Sequence, residues 1–485
     1  MTSSMYNSIH HFNEFGVKKI EKTIKEFIKE GKDLGDLVFG LEESLFELGR
    51  NILVEVLEDM DQHLRNSGLR KNNWEIVRND TTQLLTSFGM IKYNRTYFKP
   101  KKGGKRRYLV DDIVGVGPHD RVSADVVINA VEEAADSSYR KAGKKATYVD
   151  EISKQAVMNK IHALEITQPE VKVDEKRDVE ILYIEADEDH VALQNKDKDE
   201  DDNNYPKIAM PRLVYVHEGF DGDKCSENRN VLKNVRYFGG IYKNSEDLWL
   251  EVCDYIYEQY NIDSIETIYI SGDGASWIKQ GLHWIPKSKF VLDEYHLQKY
   301  VRASTAHLND SDIHQELQDA LDWPSKEKTK KVFKKILKLT DSESKKKSIK
   351  ESRRYILNQW DGIEIKADKG FEIIGCSAEG HVSHILSDRL SSRPRGWSET
   401  GVEKMAELRI YIKNGGEVYD LVMDQKHNEA KEKKHKMQDR MVKDLRRRAS
   451  SKYANAWNSD LIVTTKGKKT GLYNELRGLS SIYGL

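Results

Sequence analysis

Residues 267–279 read TIYISGDGASWIK. The apolar run Ile268-Tyr269-Ile270 stops at Ser271-Gly272-Asp273-Gly274, and a second apolar pattern starts at Trp277-Ile278. A short β-branched and aromatic run closed by glycines reads as a buried strand entering a turn. Asp and Gly are ordinary turn residues. Taken alone, the stretch leaves Asp273 either a turn filler or an acid at the carboxyl edge of a sheet.

Working outward, DVEILYIEADEDHVALQ (178–194) predicts two strands with a tight turn, and IAMPRLVYVHEGF (208–220) predicts a third. NVRYFGGIY (234–242) continues or follows it. EDLWLEVCDYIYEQY (246–260) has Leu248, Val252, Ile256 and Tyr260 at helical spacing. After the strand that opened the reading, SWIKQGLHWI (276–285) predicts a short helix, and KFVLDEYH (289–296) a strand running into another helix. Three meandering strands followed by alternating helices and strands is the order of an α/β ribonuclease-H-like core. Residues 305–370 then read as helical and Lys-rich, and a last helix starts near Cys376-Ser377-Ala378-Glu379.

That order gives Asp273 company. Asp187 ends the apolar run 181–186, and in a ribonuclease-H-like sheet the first and fourth strands lie side by side. Glu379 on the late helix would be a third carboxylate. Such a trio suits Mg²⁺ or Mn²⁺, hard ions that take oxygen ligands and leave positions for phosphate. Two ions about 4 Å apart can clamp the attacking and leaving oxygens of a phosphodiester. The flanking glycines would give metal and phosphate room to approach Asp273. Glu185 and Asp189 share a strand face with Asp187 by alternation and are rival ligands, Asp189 the stronger. Arg389, Arg393 and Arg395 offer phosphate-binding forks, and Trp397 either stacks on a base or packs in the core.

The rest of the chain frames this core. Residues 10–66 predict helices with an apolar stripe through Leu41, Leu45, Leu48, Ile52, Val56, Met60 and Leu64. Residues 82–98 predict a hairpin. Residues 121–164 predict a helical unit in which Ser153 caps a helix, Ala156, Val157, Ile161 and Leu164 face inward, and Lys154, Gln155, Asn159 and Lys160 face out. That is the pattern of a helix-turn-helix with polar residues for the major groove. The expected division is an N-terminal, mostly helical region with a hairpin (1–110), the helix-turn-helix-like unit (111–170), the catalytic domain (171–400, with an all-helical insertion near 301–370) and a basic helical C-terminal region (401–485).

Bulk properties narrow the function classes. The 485 residues are 38% hydrophobic and 33% charged, as expected of folded domains with charged surfaces. No apolar run is long enough to span a membrane and no signal-peptide core opens the chain, which points to the cytoplasm. Three cysteines, Cys225, Cys253 and Cys376, form neither a disulfide framework nor a zinc-finger pattern. The net charge is −1 but segregated: residues 326–354 hold 13 Lys or Arg against 4 Asp or Glu. The segments 99–107 and 426–448 are also basic, and 196–202 is acidic. No HExxH, GxSxG or GxxxxGK[ST] motif is present, which disfavours zinc-protease, serine-hydrolase and P-loop readings.

The motifs IEADEDHVALQ, SGDGASWIK, VLDEYHLQKYV and CSAEGHVSHILSDRLSSRPRGW resemble those of prokaryotic insertion-sequence transposases with a DDE triad. The resemblance is to the Mutator-like superfamily, ISLre-two type, long filed as an uncharacterised protein family. It covers 180–400 well and the flanking segments loosely. It implies Asp187, Asp273 and Glu379 as the catalytic, metal-holding triad, and Asp293 with His296 as a supporting pair. It also implies DNA as partner (terminal inverted repeats and target), a protein at least dimeric and nucleoid-associated when bound, and no small-molecule cofactor. The implied alternatives are a nuclease or resolvase that does not join strands, and a DNA-binding protein with an inactive site.

Overall fold

The computed structural model describes residues 7–171, 175–194, 208–227, 229–308, 311–393 and 396–428. The acidic loop 196–202, Arg395 and the basic run beyond 428 lie outside the described residues. Ten strands are described: β1 (Trp74–Thr86), β2 (Gly89–Pro100), β3 (Arg107–Tyr108), β4 (Ile181–Glu188), β5 (Val191–Ala192), β6 (Ile208–Ala209), β7 (Arg212–His217), β8 (Arg236–Gly240), β9 (Thr267–Gly272) and β10 (Ser288–Leu292). The chain divides into two compact units. One comprises Met1–Ala134, Ser138–Lys160 and Val418–Leu485; the other comprises Ala135–Ser137 and Ile161–Glu417.

In the first unit, Gly31 ends the helix Val17–Glu30 at φ 66°, and the Asp33 side chain caps the long helix Leu34–Asn66. The hairpin β1–β2 starts at Trp74, earlier than the expected 82, and turns between Thr86 and Gly89. Leu57 on the long helix packs with Leu84, Ile91, Tyr93 and Val110, supported by Leu53, Val54, Met60 and Leu64. The apolar stripe is therefore a packing face along its second half, while Leu45 near its start is 54% exposed. Asp61 fastens helix to hairpin by accepting from the Thr96 amide at 3.0 Å.

Helices Tyr139–Lys145 and Lys154–His162 occupy the expected helix-turn-helix region. The Ser153 hydroxyl caps the second, accepting from the Ala156 amide at 3.1 Å. Val157, Ile161 and Leu164 are buried, Lys154, Gln155 and Asn159 are exposed and Lys160 is half-buried. Residues 146–153 join these helices by a path longer than the roughly three-to-four-residue turn of the DNA-binding motif. Gly143 is demanded there, since a Cβ would stand 2.2 Å from the Ile152 carbonyl oxygen.

The second unit is built on a mixed five-stranded sheet in the order β10-β9-β4-β7-β8. β4 runs parallel to β9, and β9 parallel to β10, while β7 is antiparallel to β4 and to β8. β5 does not fold back on β4 as a tight hairpin, contrary to expectation. It pairs with β6, and beyond it the Gln194 amide donates to the Trp397 carbonyl at 2.8 Å. The two sheet faces differ in chemistry. Leu182, Ile184, Ala186, Val214, Val216, Ile268 and Ile270 pack on Leu248, Trp249, Val252 and Ile256 of the helix Ser245–Gln259. The helical insertion adds Phe333, Ile336, Ile349, Ile356 and Trp360 to that core. Tyr183, Glu185, Tyr215, His217 and Tyr269 alternate with those apolar residues along their strands and so line the opposite face. Helix Ala378–Val382 meets β4 and β7, and helix Glu399–Lys413 meets β8. Among the described residues no helix is long and apolar enough to cross a membrane.

Candidate active site

β4 and β9 run in parallel register with Glu185 opposite Ser271. Asp187 and Asp273 each lie two residues beyond that pair, so neighbouring strands deliver them to the same edge. The Asp273 carboxylate accepts from the Ala275 amide at 2.8 Å. It is a turn residue as well as an acid at the sheet edge. Tyr355 from the helical insertion donates its hydroxyl to the Asp273 carbonyl, and Gln359 donates to the Gly274 carbonyl at 3.0 Å.

The glycines on either side of Asp273 have a packing task. A Cβ on Gly272 would stand 2.7 Å from the Ala186 carbonyl oxygen and 2.8 Å from Ile278. Gly274 has φ 84°, and a Cβ there would stand 2.4 Å from the Gln359 side chain. Strand packing and the docking of the insertion therefore demand glycine at both positions.

Asp187 is half-buried at the end of β4. Burial pushes its carboxyl up to about 6. The Asp273 and Glu379 carboxylates add to that rise, against the Glu188 amide and His296. The three acids thus share one electrostatic neighbourhood. Glu379 sits exposed in the first turn of Ala378–Val382. The Asp293–His296 pair stands in the same neighbourhood. Asp293 caps the helix Glu294–Thr305 and holds His296 Nδ1 at 2.8 Å. That hydrogen bond raises the imidazole pKa against burial, and the charges of Asp273 and Asp187 act in the same direction.

The two rivals of Asp187 have partners of their own, although the buried Asp189 Oδ2 has none among the described residues. Asp189 is buried and accepts from the Ser391 hydroxyl at 2.8 Å. Glu185 is 2% exposed and is held by His217, Tyr215 and Ser377. The sequence reading weighed Glu185 as a ligand and missed this holding group, although Tyr215 and His217 alternate on one face of LVYVH. It also missed Tyr355 and Gln359, which no local pattern connects to SGDG.

The proposed DNA-contact side chains separate. Arg393 is exposed. Arg389 and Trp397 are only 3% and 6% exposed, with the guanidinium 4.7 Å from the indole ring centre. The Trp397 indole N–H donates to the Leu390 carbonyl at 2.9 Å. Of the two readings of Trp397, packing is the one the fold adopts, and Arg389 packs with it instead of offering a phosphate fork. On the insertion, Lys326, Lys328, Lys331, Lys334, Lys345, Lys347 and Lys350 are exposed.

Among the described residues no group of three or more His, Cys, Asp or Glu side chains forms a ready-made metal cage. The donor chemistry is nevertheless of the kind a hard divalent cation takes: all three acids offer oxygen alone.

The fold is thus a mixed five-stranded sheet flanked by helices, with aspartates leaving two adjacent parallel strands at one edge. The chain belongs to UPF0236, an uncharacterised protein family whose model matches residues 27–427. One UPF0236 protein of Caldanaerobacter subterraneus subsp. tengcongensis, its name joining eleven locus designations, is 40% identical over 464 residues, spanning 95% of each chain. Another from that organism, named for four loci, matches with the same identity and coverage. Among solved structures, the Drosophila P element transposase strand transfer complex is similar at 13% identity and a TM-score of 0.22, over 66% of this chain and 82% of that one. A likeness of that size carries no weight by itself.

Proposed function

We propose that this protein is a transposase with a ribonuclease-H-like core, which binds the terminal inverted repeats of its own element, cleaves DNA to expose 3′ ends and joins them to target DNA. The observation that carries this reading is the parallel register of β4 and β9, with Glu185 opposite Ser271, which brings Asp187 and Asp273 to one edge of the sheet. The strand order supports it: three antiparallel strands come first in sequence, and two parallel ones join β4 at its other edge. The eleven locus designations joined in one relative's name support it from another side. A protein encoded many times over in one genome is what a self-propagating element leaves behind.

In this reading Asp187, Asp273 and Glu379 hold two Mg²⁺ or Mn²⁺ ions, which when bound supply Lewis-acid stabilisation of attacking and leaving oxygens. The chain's own residues set up that chemistry. The insertion fixes the Asp273 turn through Tyr355 and Gln359. Asp293 keeps His296 beside the acids, whose charges raise the imidazole pKa. The exposed lysines of the insertion, Arg393, and Lys154, Gln155, Asn159 and Lys160 contact DNA, and a dimer pairs the two element ends.

The test is to incubate the full chain with Mg²⁺ or Mn²⁺ and linear DNA ending in the element's inverted repeats. Expected are nicked 3′ ends and joined products from the wild type and neither from Asp273→Asn. Cleavage without joining would assign a nuclease instead, and undiminished cleavage by Asp273→Asn would remove the carboxylate site from the mechanism.

A further inference from the structure

Glu185 sits one alternation before Asp187 on β4, yet its carboxylate turns to a different task. Its Oε1 accepts from His217 Nε2 at 3.0 Å. Its Oε2 accepts from the Tyr215 hydroxyl, the Ser377 amide and the Ser377 hydroxyl, the last at 3.1 Å. The Gly219 amide donates to His217 Nδ1 at 3.2 Å, so that nitrogen is an acceptor and the ring proton sits on Nε2, aimed at Glu185. Four donors converge on one carboxylate that is 2% exposed.

Ser377 is the residue before the helix Ala378–Val382, which carries Glu379. At the other end of that helix, His381 Nδ1 lies 2.9 Å from the Tyr237 hydroxyl, and its ring stacks on Tyr215 with centroids 4.4 Å apart. Residues 377 and 381 are one helical turn apart and face the sheet together. Glu379 lies between them on the other side. The helix runs on through Ser383–Ser387 and Asp388–Leu390, so the contacts at 377 and 381 hold its first turn, the one that carries Glu379, against the sheet.

We propose that Glu185, oriented by His217 and Tyr215, is a positioning residue that clamps the Glu379 helix to the sheet and sets the Glu379 carboxylate against Asp187 and Asp273. The clamp rests on the carboxylate-site reading above. Its chemistry argues for position over bulk stability. An apolar group of similar size would fill the space with no charge to compensate, but it would leave the Ser377 amide unheld.

Mn²⁺ itself is the probe, titrated against the full chain and followed by electron paramagnetic resonance, with amide hydrogen exchange over 376–390 measured in parallel. Glu185→Ala is expected to speed exchange across 377–382 and to weaken Mn²⁺ binding by about 10-fold or more, the usual effect of losing a supporting partner. Glu185→Gln, which keeps an acceptor oxygen, is expected to recover part of both. Tyr183→Phe is the control: it removes a hydroxyl donated to the Glu372 carbonyl from the same sheet face and should leave Mn²⁺ affinity unchanged. If Glu185→Ala matches the wild type in exchange and affinity while Asp273→Asn loses Mn²⁺, the clamp is wrong and the site stands. An equal loss of affinity in Tyr183→Phe would reduce Glu185 to a general packing role. If the wild type binds no Mn²⁺, the site reading fails and takes the positioning role with it, whatever the exchange shows.

Discussion

The Tyr355 hydroxyl bonds the backbone carbonyl of Asp273, 82 residues away in sequence. Through this bond the helical insertion grips the turn that carries a candidate catalytic acid. Tyr355 also stacks on Tyr300, with ring centroids 3.8 Å apart, so its ring is held from a second helix. Tyr355→Phe keeps the stack and drops the bond. The expected cost is about 1 kcal/mol of stability, read as a lower urea midpoint at unchanged slope. DNA cleavage should fall further than stability does, because the Asp273 turn loses its fixed position. A cleavage rate equal to wild type would show that the insertion docks on the turn without steadying it.

Asp187 gives a prediction with a defined pH window. Its carboxyl sits at about 6 in the folded chain against an ordinary value of 3.8. Below both values folded and unfolded states are protonated, and Asp187 does not favour either. Between them the folded state retains a proton that the unfolded state has lost, so stability falls as pH rises, and above about 6 the full cost of the bare carboxylate is present. Partial exposure trims that cost to about 1–2 kcal/mol. Asp187→Asn should therefore melt higher than the wild type at pH 7 without divalent cation, and the gap should close near pH 4. Adding Mn²⁺ should raise the wild-type melting temperature more than the variant's. A variant that melts lower at pH 7 in metal-free buffer would contradict the raised carboxyl.

Two glycines with matching backbones separate conformation from contact. Gly274 has φ 84° and Gly415 has φ 82°. A Cβ at Gly415 meets nothing within 4 Å, whereas one at Gly274 meets the Gln359 side chain at 2.4 Å. Gly415→Ala should cost about 1 kcal/mol, the left-handed strain alone. Gly274→Ala should cost more, about 2–3 kcal/mol, because Gln359 must also leave its bond to the Gly274 carbonyl. The double variant Gly274→Ala with Gln359→Ala should recover the contact part but not the strain. Chemical denaturation of the four proteins decides it.

What the sequence made legible follows from period and punctuation. The strands flanking Asp187 and Asp273 are short apolar runs stopped by polar residues, so their existence and order could be read directly. So could the buried Val157 and Ile161 with exposed Lys154 and Gln155, because that helix is amphipathic. Long-range pairing was not legible. Nothing in VALQ says that it continues toward Trp397 instead of folding back on β4, and nothing in SGDG points to Tyr355 or Gln359. Arg389 read as a phosphate fork because Arg serves there often, and Trp397 stood open between base stacking and core packing. Their mutual stacking inside the fold is a tertiary fact with no periodic signature. Glu185 was visible as an acid on the right face, but its engagement by Ser377 required knowing that residues nearly two hundred apart are neighbours.

The helical insertion offers the remaining test, through salt. Lys345 and Lys347 are exposed on the helix Glu343–Asn358, whose other residues Ile349 and Ile356 anchor it in the core. Charge reversal at the exposed positions leaves that anchoring alone, so melting should be unchanged within about 0.5 kcal/mol. If these lysines neutralise DNA phosphates, each one removed lowers the slope of log affinity against log salt by about 0.9. Lys345→Glu with Lys347→Glu should then flatten the slope by nearly two and weaken binding at low salt for any DNA sequence alike. If Lys154, Gln155 and Asn159 read bases, they should behave differently: Gln155→Ala should weaken the inverted repeat more than unrelated DNA and leave the slope in place. Fluorescence anisotropy over a salt series with both DNAs separates the two. Equal slopes for wild type and the double reversal would mean that the lysine-rich face of the insertion is turned to water and not to DNA.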